Sequence, residues 1–245
     1  MNILVTIQSR LLALLILTFV LYQSGSPLSR VADAEPSTGT GLQQQLQALL
    51  AQKSERSSDP NFLIRLADVY LSLGDDVSIE TSKRRASYEE GAKSAHQAID
   101  LQEQNANAHY LYAANLGSAA QLNGLMASAL TVHDLKRHVK RALELNPNHA
   151  PALHMMGMML EKLPWFLGGD TEGALTYLRR AVETDPGYIH ARLDLARAYA
   201  NRKDQGAARR EIEIILDQPL PTDASASNRR HREEALQLLN SLKTP

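Results

Sequence analysis

The chain has 245 residues, 44% of them hydrophobic but only 5% aromatic, with a formal net charge of −1 and no cysteine. Its apolar residues are mainly Ala and Leu, enough for a core and suited to close-packed helices rather than sheet. The near-neutral charge gives no general pull toward nucleic acid or anionic membrane. The lack of cysteine excludes a disulfide framework, cysteine-bound zinc, thiol catalysis and lipidation of an N-terminal cysteine.

The first element reads as an export signal. Arg10 precedes "LLALLILTFVLY" (11–22), twelve nearly uninterrupted apolar residues, and "ADA" at Ala32–Ala34 offers the small-x-small pattern of a signal-peptidase site. Twelve residues are short for a membrane span, which needs ~20. Residues 1–34 are therefore expected to be a cleaved secretory signal, with an uncleaved N-terminal anchor as the alternative. Without them the charge becomes 24 − 26 = −2, and the conclusion about nucleic acid stands. A cysteine-free exported chain suits a bacterial periplasm.

Residues 35–41, "EPSTGTG", read as a linker, and a leading helix is expected near 42–54, so that 35–58 form an entry segment. From residue 59 to 245 the pattern is helix, turn, helix. "HVKRALELNPNHAPALHMMGMML" (138–160) and "YLRRAVETDPGYIHARLDLARAY" (177–199) repeat one scheme, aligned on Pro147 and Pro186, 39 residues apart. A tetratricopeptide unit runs ~34 residues, with small residues where its two helices cross. The small positions of the first helices are expected at Ala67, Ala114, Gly157 and Ala196. Those of the second are expected at Ala98, Ala142 and Ala181, with Ile215 in the last unit. Ala196 and Ile215 are 19 apart, the spacing of an uninterrupted unit. The wider gaps of the other three predict elongated turns between paired helices, on one edge of the stack. "NRRHREEALQLLNSL" (228–242) carries Ala235, Leu238, Leu239 and Leu242 at helical spacing and is expected to cap the last repeat. The fold class is thus all-α, a tetratricopeptide-like solenoid of about four degenerate hairpins.

Three runs in this order, "HYLYAANLGSAAQLNG" (109–124), "LKRHVKRALELNPNHAPALHMMGMMLEKLPWF" (135–166) and "ALTYLRRAVETDPGYIHARLDLARAYA" (174–200), resemble the regulator of microtubule dynamics family. The long turn with its Leu-Pro-Trp-Phe element is part of that likeness. The Gly-Gly turn followed by Ala is also similar to the T-component proteins of periplasmic TRAP transporters. Both resemblances imply a helical-repeat solenoid. The second further implies a periplasmic protein with a ligand-sized opening and a partner binding protein.

Candidate sites divide against plain structural uses. Gly168-Gly169-Asp170 lacks the Lys and the preceding strand of a phosphate loop, and Asp170 with Glu172 is too few oxygens for a calcium loop. It reads as a turn whose Gly supplies positive φ and whose Asp caps the next helix, the alternative being an anion at that helix start. Trp165 and Phe166 either fold back on their hairpin or form a lip over the groove, where Trp supplies contact area. His133 and His138, like His149 and His154, are five apart, which turns them away from one another on a helix, so no metal site is expected by spacing. No nucleophile motif is present. Met155, Met156, Met158 and Met159 cannot all face one side of a helix, and core filling is their expected use beside a plastic groove.

The inner surface of such a solenoid is set by the first helix of each pair. Its expected lining is Tyr110, Asn115, Gln121, His154, Met158, His190, Arg192 and Arg197, with Trp165 at the lip, while Tyr112 and Tyr199 pack inside. The expected function is non-catalytic. A protein or peptide partner sits in the groove of a cell-envelope scaffold, without cofactor or metal. The alternative is a solute-handling accessory that holds a small apolar or anionic ligand in a central opening.

Overall fold

A polar side chain and a following run of apolar residues start five of the ten described helices. Asp59 accepts hydrogen bonds from the backbone N–H groups of Asn61 and Phe62, and Asn105 from those of Asn107 and Ala108. Asp170 receives Gly173 N–H, Asp204 receives Ala207 N–H, and His149 uses a ring nitrogen to receive Ala152 N–H. Each cap satisfies donors that a helix start leaves unpaired.

The computed structural model describes residues 38–219 and 226–242. Among them are ten α-helices: α1 (Thr38–Arg56), α2 (Pro60–Asp75), α3 (Thr81–Leu101), α4 (Ala106–Asn123), α5 (Leu125–Leu145), α6 (Ala150–Lys162), α7 (Thr171–Thr184), α8 (Ile189–Asn201), α9 (Gln205–Asp217) and α10 (Ala226–Ser241). A 3-10 turn, Trp165–Leu167, lies between α6 and α7. The export signal expected over residues 1–34 lies outside the described residues. Among those described, no helix is long and apolar enough to cross a membrane.

Consecutive helices pack as hairpins. In addition α2 meets α4, α4 meets α6, α6 meets α8, and α8 meets α10. This sequence of contacts builds two layers: α2, α4, α6, α8 and α10 in one, α3, α5, α7 and α9 in the other. Helix α10 takes the place of the next inner helix. Its Ala235 is fully buried, and Leu238, Leu239 and Leu242 pack on Ile189, Leu193, Ile212 and Ile215 as a cap. At the other end Leu42, Leu46 and Leu49 lay α1 against the buried face of α2.

The crossings need small side chains. Ala67, Ala98, Ala142, Ala181 and Ala196 have no exposed surface. A Cβ on Gly157 would stand 2.8 Å from Cγ of Leu178, so α6 and α7 approach as closely as backbone permits. The expectation for α4 is off by one residue: Ala113 is the fully buried alanine, and Ala114 is only partly covered. Counted from the N-cap, Ala67, Ala113, Gly157 and Ala196 fall at the same step of their helices, and Ala114 does not. The elongated turns need a second correction. The added residues of the first two hairpins mostly lengthen the helices, so that α3 and α5 reach 21 residues each and a single Gly124 joins α4 to α5. Only α6 and α7 are separated by a true insertion.

In that insertion every residue of Gly168-Gly169-Asp170 has a structural use. Gly168 sits at φ 85, left-handed backbone that favours glycine. A Cβ on Gly169 would meet the Leu163 carbonyl oxygen at 1.7 Å. Asp170 caps α7, and its own N–H donates to Leu160 O at 2.9 Å. The turn reading accounts for all three.

Candidate functional site

Helix α8 presents His190, Asp194 and Arg197 along one stripe, at steps of four and three residues. Asp194 Oδ2 lies 2.8 Å from His154 Nε2 of α6 and 3.3 Å from His190 Nε2, and its Oδ1 accepts from Arg197 at 2.9 Å. Arg197 continues to Glu234 of α10 at 2.8 Å. His231, also on α10, stacks on His190 with ring centres 4.3 Å apart. Tyr188 completes the group, its hydroxyl 3.2 Å from His154 Nδ1. With His154 Nε2 donating to the carboxylate, its Nδ1 is left to accept the tyrosine proton.

The electrostatics follow from that packing. Burial disfavours ionised Asp194, but the His154 hydrogen bond, His190 and Arg197 outweigh it and hold the carboxyl below the usual range. His190 is lowered from its ordinary value, by burial first, with His154, His231 and Arg197 adding and Asp194 opposing. His231 falls to about 4, chiefly through burial. At neutral pH the cluster therefore holds one buried carboxylate and imidazoles at His190 and His231 that carry no charge. His190 keeps a water-facing edge, its side chain 43% exposed, whereas Asp194 is 4% exposed.

The face extends across the inner layer. Tyr110 of α4 lies beside Tyr188, and burial raises its pKa with the charges of Asp75 and Asp68 on α2 adding. Asp75 in turn feels Arg230 of α10. Groups from the second and the last helix thus face one another, as they do when a solenoid curls around an inner groove.

Several expected lining residues belong elsewhere. Asn115 is fully buried, its Nδ2 donating to Ala67 O and Leu111 O, so it ties α4 to α2 and meets no partner. Arg192 is 8% exposed and turned the other way, toward Glu211 of α9 at 2.6 Å and the Pro186 carbonyl. Gln121 is exposed near the end of α4, and Met158 is half-buried against the core between α6 and α8. Tyr110, His154, His190 and Arg197 come together. His109, at the step of α4 that Arg192 takes in α8, likewise turns to the outer layer and pairs with buried His138 of α5, Nδ1 to Nδ1 at 2.9 Å.

Sequence spacing missed Asp194, Tyr188 and His231. His190 and Asp194 lie four apart, a signal available on a single helix, but His154 is 40 residues from Asp194 and meets it through repeat packing alone. Trp165 is a separate feature. It is 85% exposed, edge-on to Phe166 at 5.9 Å, and does not fold back on the hairpin.

Paired helices, small crossing residues, an inner layer and a terminal cap define the tetratricopeptide-repeat solenoids, and a tetratricopeptide repeat profile matches residues 166–224. A thermophilic TPR protein of Thermus thermophilus shares the fold, with a TM-score of 0.60 at 17% identity, covering 81% of this chain and 95% of that one. The profile named "Regulator of microtubule dynamics protein 1-3" matches residues 29–160, more than half of the chain. The chain belongs to that family. Bovine (Bos taurus) regulator of microtubule dynamics protein 1 is 26% identical over 216 residues, spanning 82% of this chain and 67% of the relative. Bovine protein 3 is 25% identical over 225 residues, which cover 85% of this chain but 48% of that longer relative.

Proposed function

We propose that this protein is a non-catalytic scaffold that holds a polypeptide partner against its inner face. The observation that carries the reading is that Tyr110, His154, Tyr188, His190 and Arg197, from α4, α6 and α8 and the turn before α8, converge on one groove. Aromatic and arginine side chains are the usual anchors of protein recognition. They are held here by helices that need not rearrange, which limits the entropic cost of association. Trp165, exposed on the inserted turn, is a second contact at the edge.

The compartment belongs to the same proposal. Arg10, the apolar run 11–22 and the small residues at Ala32–Ala34 support export to a cell envelope, as a cleaved periplasmic form or a membrane-anchored one. The relatives' names make a microtubule-associated polypeptide one partner class to include among the probes.

The test is site-specific photocrosslinking in the native cell, with the reactive side chain at Tyr110 or Arg197, or at outer-face Glu213 as the control. A discrete polypeptide adduct from the inner positions and none from Glu213 is the expected result. Equal labelling of both faces overturns it. A native mass spectrum of protein purified gently from its envelope decides the solute-handling alternative, which requires a small-molecule adduct and no second polypeptide.

A further inference from the structure

We propose that His154, His190 and Asp194 bind a divalent transition-metal ion of the zinc class on the inner face, with a coordination position left open to the groove. One donor atom from each lies within 4.8 Å of the other two. In a tetrahedral zinc site with the usual nitrogen and oxygen bond lengths, ligand atoms stand ~3.3 Å apart. The 3.3 Å between His190 Nε2 and Asp194 Oδ2 already matches, and the 2.8 Å between His154 and Asp194 needs a small opening. That opening falls to the buried His154 and Asp194 side chains, while half-exposed His190 is free to follow the ion. Two imidazoles and one carboxylate, with no thiolate in the chain, select borderline ions such as zinc, cobalt(II), nickel or copper(II) over soft copper(I) or iron–sulfur clusters.

The surroundings are those of a prepared site. A metal-ligating histidine ordinarily donates its other ring N–H to an outer acceptor. When His154 Nε2 takes the ion, its proton moves to Nδ1, where the Tyr188 hydroxyl lies 3.2 Å away to receive the hydrogen bond. Arg197 fixes the second oxygen of Asp194, leaving Oδ2 for the ion. An independent observation points the same way. His231 is 6% exposed, stacks on His190, and its buried Nδ1 has no hydrogen-bond partner. A buried polar atom left without a partner is rare in folded proteins. Here it lies on the ring stacked against His190, beside the three ligands.

The inference goes beyond partner binding, because a groove with or without an ion can hold a polypeptide. It also departs from the sequence reading, in which histidine spacing within single helices gave no site.

The full chain, stripped with chelator, is titrated with cobalt(II) and followed by visible absorption, then competed with zinc. The expected result is one ion per chain with the intense bands of four- or five-coordinate cobalt. His190→Ala, which removes a half-exposed ligand, should weaken binding by at least the roughly 10–100-fold that loss of an outer-shell partner costs. His133→Ala, on another helix, should leave it unchanged. Weak bands of hydrated cobalt alone, or equal affinity in wild type and His190→Ala, overturn the proposal. X-ray absorption of the zinc-loaded wild type gives a reading independent of any variant's folding. A shell containing two imidazoles is expected, and a shell of oxygens alone overturns it.

Discussion

Asn115 of α4 and Gly91 of α3 are in contact so close that a Cβ added to Gly91 would stand 2.2 Å from Asn115 Oδ1. The amide is pinned in that place by two bonds, from Nδ2 to Ala67 O at 3.2 Å and to Leu111 O at 2.9 Å. Helices α2, α3 and α4 are locked together there by one side chain. Gly91→Ala gains about 1 kcal/mol of helix propensity. It must also push the amide off its partners, costing about 3 kcal/mol in overpacking and orphaned polar groups. A net loss of about 2 kcal/mol in urea unfolding is expected, and an unchanged midpoint would show that the amide relaxes freely.

The inserted turn separates stability from recognition. Gly169→Ala places a methyl on the Leu163 carbonyl and should destabilise the α6–α7 hairpin by about 2 kcal/mol. Trp165→Ala removes an 85% exposed side chain and should alter stability by no more than about 0.5 kcal/mol. If Trp165 is a contact, the same variant lowers partner affinity about tenfold or more. Parallel thermal melts and binding titrations of the two variants read both effects.

Acid should loosen the second hairpin. His109 donates from Nε2 to Glu103 O at 2.8 Å, so its Nδ1 accepts the proton of His138 Nδ1. Burial first, with His109, Arg137 and His96 adding and Asp134 opposing, lowers His138 to about 4 from 6.5. The unfolded chain takes up this proton near pH 6.5 while the folded chain resists until about 4. The stabilisation is therefore complete above about pH 6.5 and is lost as pH falls to about 4, amounting to about 3 kcal/mol for this group. His190, His231 and His149 are lowered too and act in the same direction. The raised carboxyls of Asp68 and Asp75 act in the opposite one, favouring the fold as they protonate. A falling urea midpoint between pH 6.5 and 4.5 is expected, and a flat one would rule out the neutral pair.

Arg232 holds the cap. Its guanidinium, on α10, donates to the Ile215, Leu216 and Gln218 carbonyls at the end of α9, groups a helix terminus leaves unpaired. A cation there also suits the helix dipole. Arg232→Ala should release α10 locally, exposing Ala235 and the bonds of 226–242 to protease well before the rest unfolds. Cleavage no faster than in wild type would assign the cap's hold to Leu238, Leu239 and Leu242 alone.

Local chemistry was legible in the sequence. The cap at Asp170, the Gly168-Gly169-Asp170 turn, the small crossings at Ala67, Gly157 and Ala196 and the terminal cap depend on residues a few positions apart, where 3.6-residue periodicity and backbone preference decide. The off-by-one alanine on α4 came from two adjacent alanines, Ala113 and Ala114, which size does not distinguish. Tertiary structure alone decided which polar residues face the groove. Arg192 and Arg197 share one helix and five residues of separation, yet one is turned to α9 and the other to Asp194 and α10. His154 reaches Asp194 across 40 residues because the repeats curl and bring α6 beside α8. Helix periodicity fixes what each helix buries, whereas the rotation between packed helices fixes what meets across the groove, and that rotation is set by the whole stack.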